Sequence, residues 1–190
     1  MKTVSLKCDC GKVQGTAHDI SASDGTRVVC CCDDCQAFAT HLSAEAKTLD
    51  PFGGTEVFQV TQAQVTIEQG QEHLQCLRLS DKGLLRWYAS CCNTPVANTI
   101  KAGMPFAGII HTFMNLENRD EVLGPVRAHV QTQHATSTPN YPNSSEKFPI
   151  TLVGRMIRKI LIGRIKGKST PSVFFGDDGR PVVKPVIVNA

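Results

Sequence analysis

Nine cysteines in 190 residues are the side chains whose type and spacing can do chemistry. Four fall within Cys30-Cys31-Cys32-Asp33-Asp34-Cys35. Two more lie in Cys8-Asp9-Cys10-Gly11, and two stand side by side as Cys91-Cys92, while Cys76 is alone. Adjacent cysteines rarely reach the Cα separation and Cβ direction that a disulfide needs. A soft divalent cation gathers such thiols, and thiolate ligands favour zinc over magnesium or calcium. The expected cofactor is therefore zinc, held by ligands from three places in the chain.

Spacing sorts the thiols. Residues two apart in an extended segment share a face, so Cys30 and Cys32 point one way and Cys31 the other. Cys35, one turn into a helix that Asp33 or Asp34 could cap, can swing back to that face. Cys30, Cys32 and Cys35 thus make a three-thiolate set, and three protein ligands leave a fourth position for water or substrate, as a catalytic zinc requires. Cys31, Cys32 and Cys35 form the competing set, which strand geometry disfavours. A helix start beneath Cys35 would favour its thiolate. Cys8 and Cys10 point to one side of a turn that Gly11 permits, half of a zinc knuckle. Cys92, with Cys91 or an outside group as the remaining ligand, can close that site. Cys76 reads as a buried small hydrophobe. His111 reads either as a hydrogen-bonded core residue or as a proton shuttle or ligand. His129 and His134 are weaker candidates near a domain end.

The elements that must position these groups are mostly strands. Val4–Lys7 and 12–17 flank the first cysteine pair. A polar loop, 21–25, leads to a strand over 27–31 and a short helix through Ala37, Phe38 and Leu42. Strands follow at Glu56–Val60, 64–68, 73–79 and 84–89, with turns at Gly70 and 81–83. The turn after Ala89 brings in Cys91 and Cys92, and Asn93 there can adopt the left-handed conformation. Ala107–Met114 reads as a further strand beside the open site.

A chain with 41% hydrophobic and 19% charged residues is an ordinary soluble globule, long enough to bury a core without disulfides. Met1–Lys7 lacks the apolar run of a secretory signal, and nothing in the sequence has the length of a membrane-spanning segment. A reducing, cytoplasmic compartment is expected, where clustered cysteines bind metal or do chemistry.

Taken in order, Cys8-Asp9-Cys10-Gly11-Lys12-Val13, Cys30 to Cys35 and Cys92-Asn93-Thr94-Pro95 resemble the cysteine motifs of the glutathione-dependent formaldehyde-activating enzyme (GFA) and CENP-V-like family, in a branch with a basic C-terminal tail. The resemblance covers residues 5–100. It implies a mainly β, Mss4-like zinc-binding fold. It also implies a closed zinc site on Cys8, Cys10 and Cys92, an open one on Cys30, Cys32 and Cys35, and glutathione as co-substrate. Ala89 stands where the family's third motif has its first cysteine, Asn93 where it has glycine, and Cys31 where the central motif has histidine. Cys91 is the replacement ligand at hand, provided that the turn twists, because neighbours in an extended segment point opposite ways.

Beyond this region the character changes. The expected organisation is a zinc-binding β domain over 1–135, a loop over 136–150, and a basic amphipathic helix with an extended arm over 151–190. From Lys147 to Lys168 there are seven basic residues and no acidic one, against a net charge of +3 for the whole chain. Leu152, Val153, Met156, Ile157, Ile160 and Leu161 form one helical stripe, with Arg155, Arg158 and Lys159 opposite. Self-packing with a solvated basic face is the plain expectation. An anionic membrane or nucleic acid meeting residues 151–168 is the alternative.

Two functions follow as expectations. One is an enzyme, a carbon–sulfur lyase of the GFA type, acting on a small-molecule thiol adduct such as S-hydroxymethylglutathione, with Lys101 or Arg86 meeting a substrate carboxylate. The other is a non-catalytic, zinc-supported binding module that works through the basic helix.

Overall fold

The structure, a computed structural model, describes residues 1–23 and 26–188. Asp24 and Gly25, in the loop expected over 21–25, lie outside the described residues. β1 (Lys2–Lys7) and β2 (Gln14–Ile20) form an antiparallel hairpin around the first cysteine pair. β3 (Thr26–Cys30) leads into α1 (Asp33–His41) and the single-turn α2 (Glu45–Thr48). β4 (Thr55–Val60), β5 (Val65–Gln69), β6 (Leu74–Arg78), β7 (Leu85–Ala89), β8 (Thr94–Thr99) and β9 (Ala107–Ile110) follow. Then come α3 (Arg119–Leu123), β10 (Ala128–Val130), β11 (Ser144–Ser145), α4 (Ile150–Ile165) and β12 (Val186–Ile187).

The fold is mainly β. One sheet has the order β1-β2-β5, and the larger one runs β11-β10-β3-β4-β9-β8-β7-β6-β12. Only the links of β10 to β3 and β11, and of β12 to β6, are parallel among the described strands. Alternation along each strand sets which face it serves. In β4, Phe58 and Val60 face the small sheet and pack with Leu6, Ile109 and Trp87, whereas Val57 faces the helices. The main core therefore fills the space between the sheets. α1 and α4 cover the other face of the large sheet through Phe38, Leu42 and Leu152.

The strands expected around the cysteines are present to within a few residues. Strand β8 was not expected. Its Pro95 and Asn98 are poor strand formers, and Pro95 is accommodated at an irregularity where the β7–β8 register shifts. The strand expected over 107–114 stops at Ile110 and turns through a 3-10 segment, His111–Phe113. Neither Asp33 nor Asp34 caps α1. Cys32 takes the cap position, and both aspartates lie in the first turn, where the helix dipole favours acids.

The segments 136–150 and 151–188 are tied to the β domain, and Asn189 and Ala190, the end of the expected arm, lie outside the described residues. Ser144 and Ser145 pair with β10. Phe174 and Phe175 are buried against Trp87, at centroid distances of 5.1 and 6.2 Å. Burying two phenylalanines contributes about 3–6 kcal/mol before entropy is counted.

α4 corrects one expectation. Its whole stripe was expected to pack inward, and Leu152 and Met156 do, yet Ile157 and Leu161 are 50% and 55% exposed. Gly163 is buried as well, and Arg155 and Lys159 reach the backbone carbonyls of Ser23 and Gln59. The helix leans on the sheet by one edge. At Gly163 a Cβ would come within 3.0 Å of Pro105, so glycine permits that approach. Lys159 lays its stem along the sheet and sets its ammonium 5.8 Å from the Phe58 ring centroid. Among the described residues no helix is long and apolar enough to cross a membrane.

Candidate metal centres and the pocket beside them

The first cluster is built from two turns. Between β1 and β2, the Cys8 amide donates to Val13 O at 3.0 Å and the Gly11 amide to Cys8 O at 2.9 Å, with Gly11 at φ +76°. This folds the loop so that Cys8 and Cys10 face one point. The second turn joins β7 to β8, where Ala89 pairs with Thr94 and Asn93 is left-handed at φ +56°. That reversal supplies the twist that lets consecutive Cys91 and Cys92 both turn inward. The Sγ atoms lie 3.7 Å apart for Cys8–Cys10, and 3.8 Å apart for both Cys8–Cys91 and Cys91–Cys92. Cys10–Cys91 is closer, at 3.3 Å. A Zn–S bond of about 2.3 Å at the tetrahedral angle separates sulfurs by about 3.8 Å, so the four thiols fit a closed zinc site. The Asp9 amide donates to Thr94 Oγ1 at 3.0 Å, and the Lys47 ammonium lies 2.6 Å from the Asp9 carboxylate, so the two turns are also tied outside the cluster. Burial pushes the Cys8 thiol up. Cys92 is held down at about 6: burial opposes this, but the Thr94 hydroxyl and the Cys10 amide outweigh it.

The second cluster is built at one strand-to-helix junction. Cys30 ends β3, Cys32 is the residue before α1, and Cys35 is in its first turn. The three Sγ atoms lie within 4.8 Å of one another. No fourth cysteine, histidine or carboxylate among the described residues joins them. They fit a zinc site with three protein ligands and one open position. Hydrogen bonds from Cys30 and Cys35 pull Cys32 down to about 2. Cys30 is correspondingly driven far up by its bonds to Cys32 and Cys35. Although its bond with Cys30 lowers it, Cys35 is pushed up to about 12 by its bond to Cys32 and by burial. The helix start therefore favours the thiolate of Cys32, whose sulfur accepts from the Cys35 amide, rather than that of Cys35. Three thiolates this close repel, and a dication is the group that would let all three ionise.

Cys31 faces away. It is fully buried, its amide donates to Val130 O and its carbonyl accepts from Gln36 Nε2. Burial raises its thiol to about 11. Cys76 is buried in the main core and is raised to about 12 by that burial. His111 lies in neither thiol cluster; its Nδ1 is 3.4 Å from Glu56 O, and burial lowers its pKa.

A cavity of about 410 Å³ opens on the second cluster. Val28, Val57, Leu84, Phe106, Phe148 and Met156 supply apolar walls, and Arg86, Asn98, Gln131 and His134 supply polar groups. Arg86 does meet a carboxylate, but one of its own chain: it is 2% exposed, lies 3.1 Å from Asp34 and 3.4 Å from the Asn98 amide oxygen, and stacks over Phe38. Its positive charge lowers Cys32 and Cys35. His134 pairs with Asp33 at 2.8 Å. Lys101 is exposed and does not line this cavity. Phe148 and Met156 carry no cue in the local sequence for a role at the thiols, since only long-range folding brings the 148–156 segment over the β3–α1 junction. Behind the site, buried Arg27 in β3 makes two hydrogen bonds to Glu56 and one to Gly124 O, which fixes the strand that ends in Cys30.

The chain belongs to DUF6151, a family of unknown function whose model matches residues 1–185. That match spans both cysteine clusters, α4 and the Phe174–Phe175 arm. No curated protein matches the chain.

Proposed function

We propose that this protein is a zinc-dependent enzyme that makes or breaks the carbon–sulfur bond of a thiol adduct, in a reducing compartment such as the cytoplasm. The observation that carries the reading is the set Cys30, Cys32 and Cys35, three converging thiols with no fourth ligand among the described residues, facing a cavity large enough for a small molecule. Zinc bound there supplies a Lewis acid that lowers the pKa of a thiol in its open position. The likeness of the three cysteine motifs to the GFA pattern suggests S-hydroxymethylglutathione as the substrate type.

The chain's own residues have definite tasks in this scheme. Arg86, buried beside Cys32 and Cys35, offsets negative charge on the sulfurs. The apolar walls exclude water from the adduct. In the forming direction, the substrate thiol gives its proton to His134, its sulfur attacks the aldehyde carbon, the carbonyl electron pair moves to oxygen, and oxygen takes that proton. His134, with Nδ1 bonded to Asp33, holds that proton on its other ring nitrogen. The breaking direction returns the proton to His134 and expels the thiolate.

The cavity also bears on which thiol is used. Arg86 and His134 are both paired with aspartates, and Asp33 and Asp34 line the same space. A thiol with an apolar body suits these walls better than one with two carboxylates. The test is exchange spectroscopy by NMR with formaldehyde and either glutathione or benzyl mercaptan. The expected result is acceleration over the uncatalysed exchange that Cys32→Ser abolishes, greater for benzyl mercaptan. No acceleration with either thiol, in protein shown to contain zinc, sinks the reading.

A further inference from the structure

The outer side of α4 is unexplained by the metal centres. Ile150, Ile157, Leu161 and Ile165 are 86%, 50%, 55% and 86% exposed. Spaced by seven, four and four residues, they make one stripe along the helix. The opposite side of the helix is the one engaged with the domain, through Leu152, Gly163 and the Lys159 bond to Gln59 O. Next to the stripe, beginning at Arg158, is a cavity of about 350 Å³. Arg155, Arg158, Lys159, Lys166 and Lys168 line it, with Asp19 as its one acid. An apolar ridge thus runs beside a cationic hollow, inside a segment from Lys147 to Lys168 that has no acidic residue.

We infer that α4 docks on an anionic phospholipid surface, its exposed isoleucines and leucine entering the acyl boundary while the cationic hollow beside them receives lipid phosphates. Sixteen residues at 1.5 Å each give a helix about 24 Å long, too short and too charged to span a bilayer but suited to lying in its interface. The apolar area contributes through the hydrophobic effect, and each basic residue near an anionic leaflet adds electrostatic attraction. Nucleic acid or free phosphate would use the cations but leave four large aliphatic side chains facing water. A lipid surface accounts for both features with one partner.

The test is co-sedimentation of the full chain with vesicles of phosphatidylcholine alone or with about one-third phosphatidylserine. Binding to the anionic vesicles should be about tenfold or more stronger and should weaken with salt. Ile157→Asp with Leu161→Asp should lower it about tenfold or more, with thermal midpoint and metal content unchanged because both side chains are already half exposed. Arg158→Glu with Lys166→Glu should lower it as well. Four results overturn the inference. They are no binding to anionic vesicles, equal binding to neutral ones, full binding by the aspartate variant, and oligonucleotide binding or a stability shift with inorganic phosphate in the absence of vesicle binding.

Discussion

Cys8, Cys10, Cys91 and Cys92 come from two hairpin turns far apart in sequence, whereas Cys30, Cys32 and Cys35 come from a single junction six residues long. The first set closes a gap between distant parts of the chain. Its cluster lies under the main core, with Cys8 buried and Cys10 exposed. The second set closes nothing that β3 and α1 do not already hold. It is positioned from behind by the Arg27 network and looks into a cavity walled in part by α4. The same ligand chemistry thus suits two purposes. A metal on four sulfurs from two turns adds its binding energy to folding. A metal on three sulfurs from one rigid junction leaves a position for a ligand.

The largest expected effect separates these roles directly. Cys8→Ser should remove one zinc equivalent and lower unfolding free energy by several kcal/mol, because the cross-link between turns is lost. Cys32→Ser should remove the other equivalent at a cost of about 1 kcal/mol. Metal content by plasma emission and urea midpoints decide this, and equal destabilisation by the two variants would break the comparison.

Next comes the support behind the open site. Arg27→Met leaves Glu56, 13% exposed, without its bidentate partner and should cost about 3–5 kcal/mol. The four-sulfur site should keep its metal in this variant, since β3 contributes nothing to it. Loss of both metals at native stability would show that the sites are not independent.

Metal removal gives a smaller, kinetic contrast. A colorimetric chelator should take the three-sulfur metal first, because its open position admits a competing ligand, and the second release should be at least about tenfold slower. A single release phase carrying both equivalents would contradict that order.

The mildest effect concerns thiol reactivity in metal-free protein. The thiolate is the nucleophile. Cys92, held at about 6, should be alkylated by iodoacetamide near neutral pH, whereas Cys76, raised to about 12 in the core, should not. The depressed Cys92 pKa also contributes stability to the metal-free fold above its ordinary value near 9.0, and that contribution is lost as pH falls through about 6. Zinc should protect Cys92 at any pH where it stays bound. Mass spectrometry of the labelled protein, with and without zinc, reads the labelling, and urea midpoints of the metal-free protein across pH read the stability.

Local sequence determined a good deal of this protein. Alternation and turn chemistry placed most of the strands, the i and i+2 rule separated Cys30 and Cys32 from Cys31, and Gly11 and Asn93 marked the two turns that present thiols. These are short-range matters of backbone geometry, which neighbouring residues control. Tertiary structure alone decided the rest. It twisted the turn after Ala89 so that Cys91 and Cys92 face Cys8 and Cys10. It made a strand of 94–99 despite Pro95 and Asn98, because pairing on both sides outweighs weak propensity. It brought Phe148 and Met156 over the three-sulfur cluster, and it rolled α4 so that Ile157 and Leu161, expected inside, point outward while Leu152 stays buried. A helical stripe in sequence says that an apolar face exists. Which side of the helix meets the sheet depends on where Pro105, Thr61 and the carbonyls of Ser23 and Gln59 lie, and folding of distant segments sets those positions.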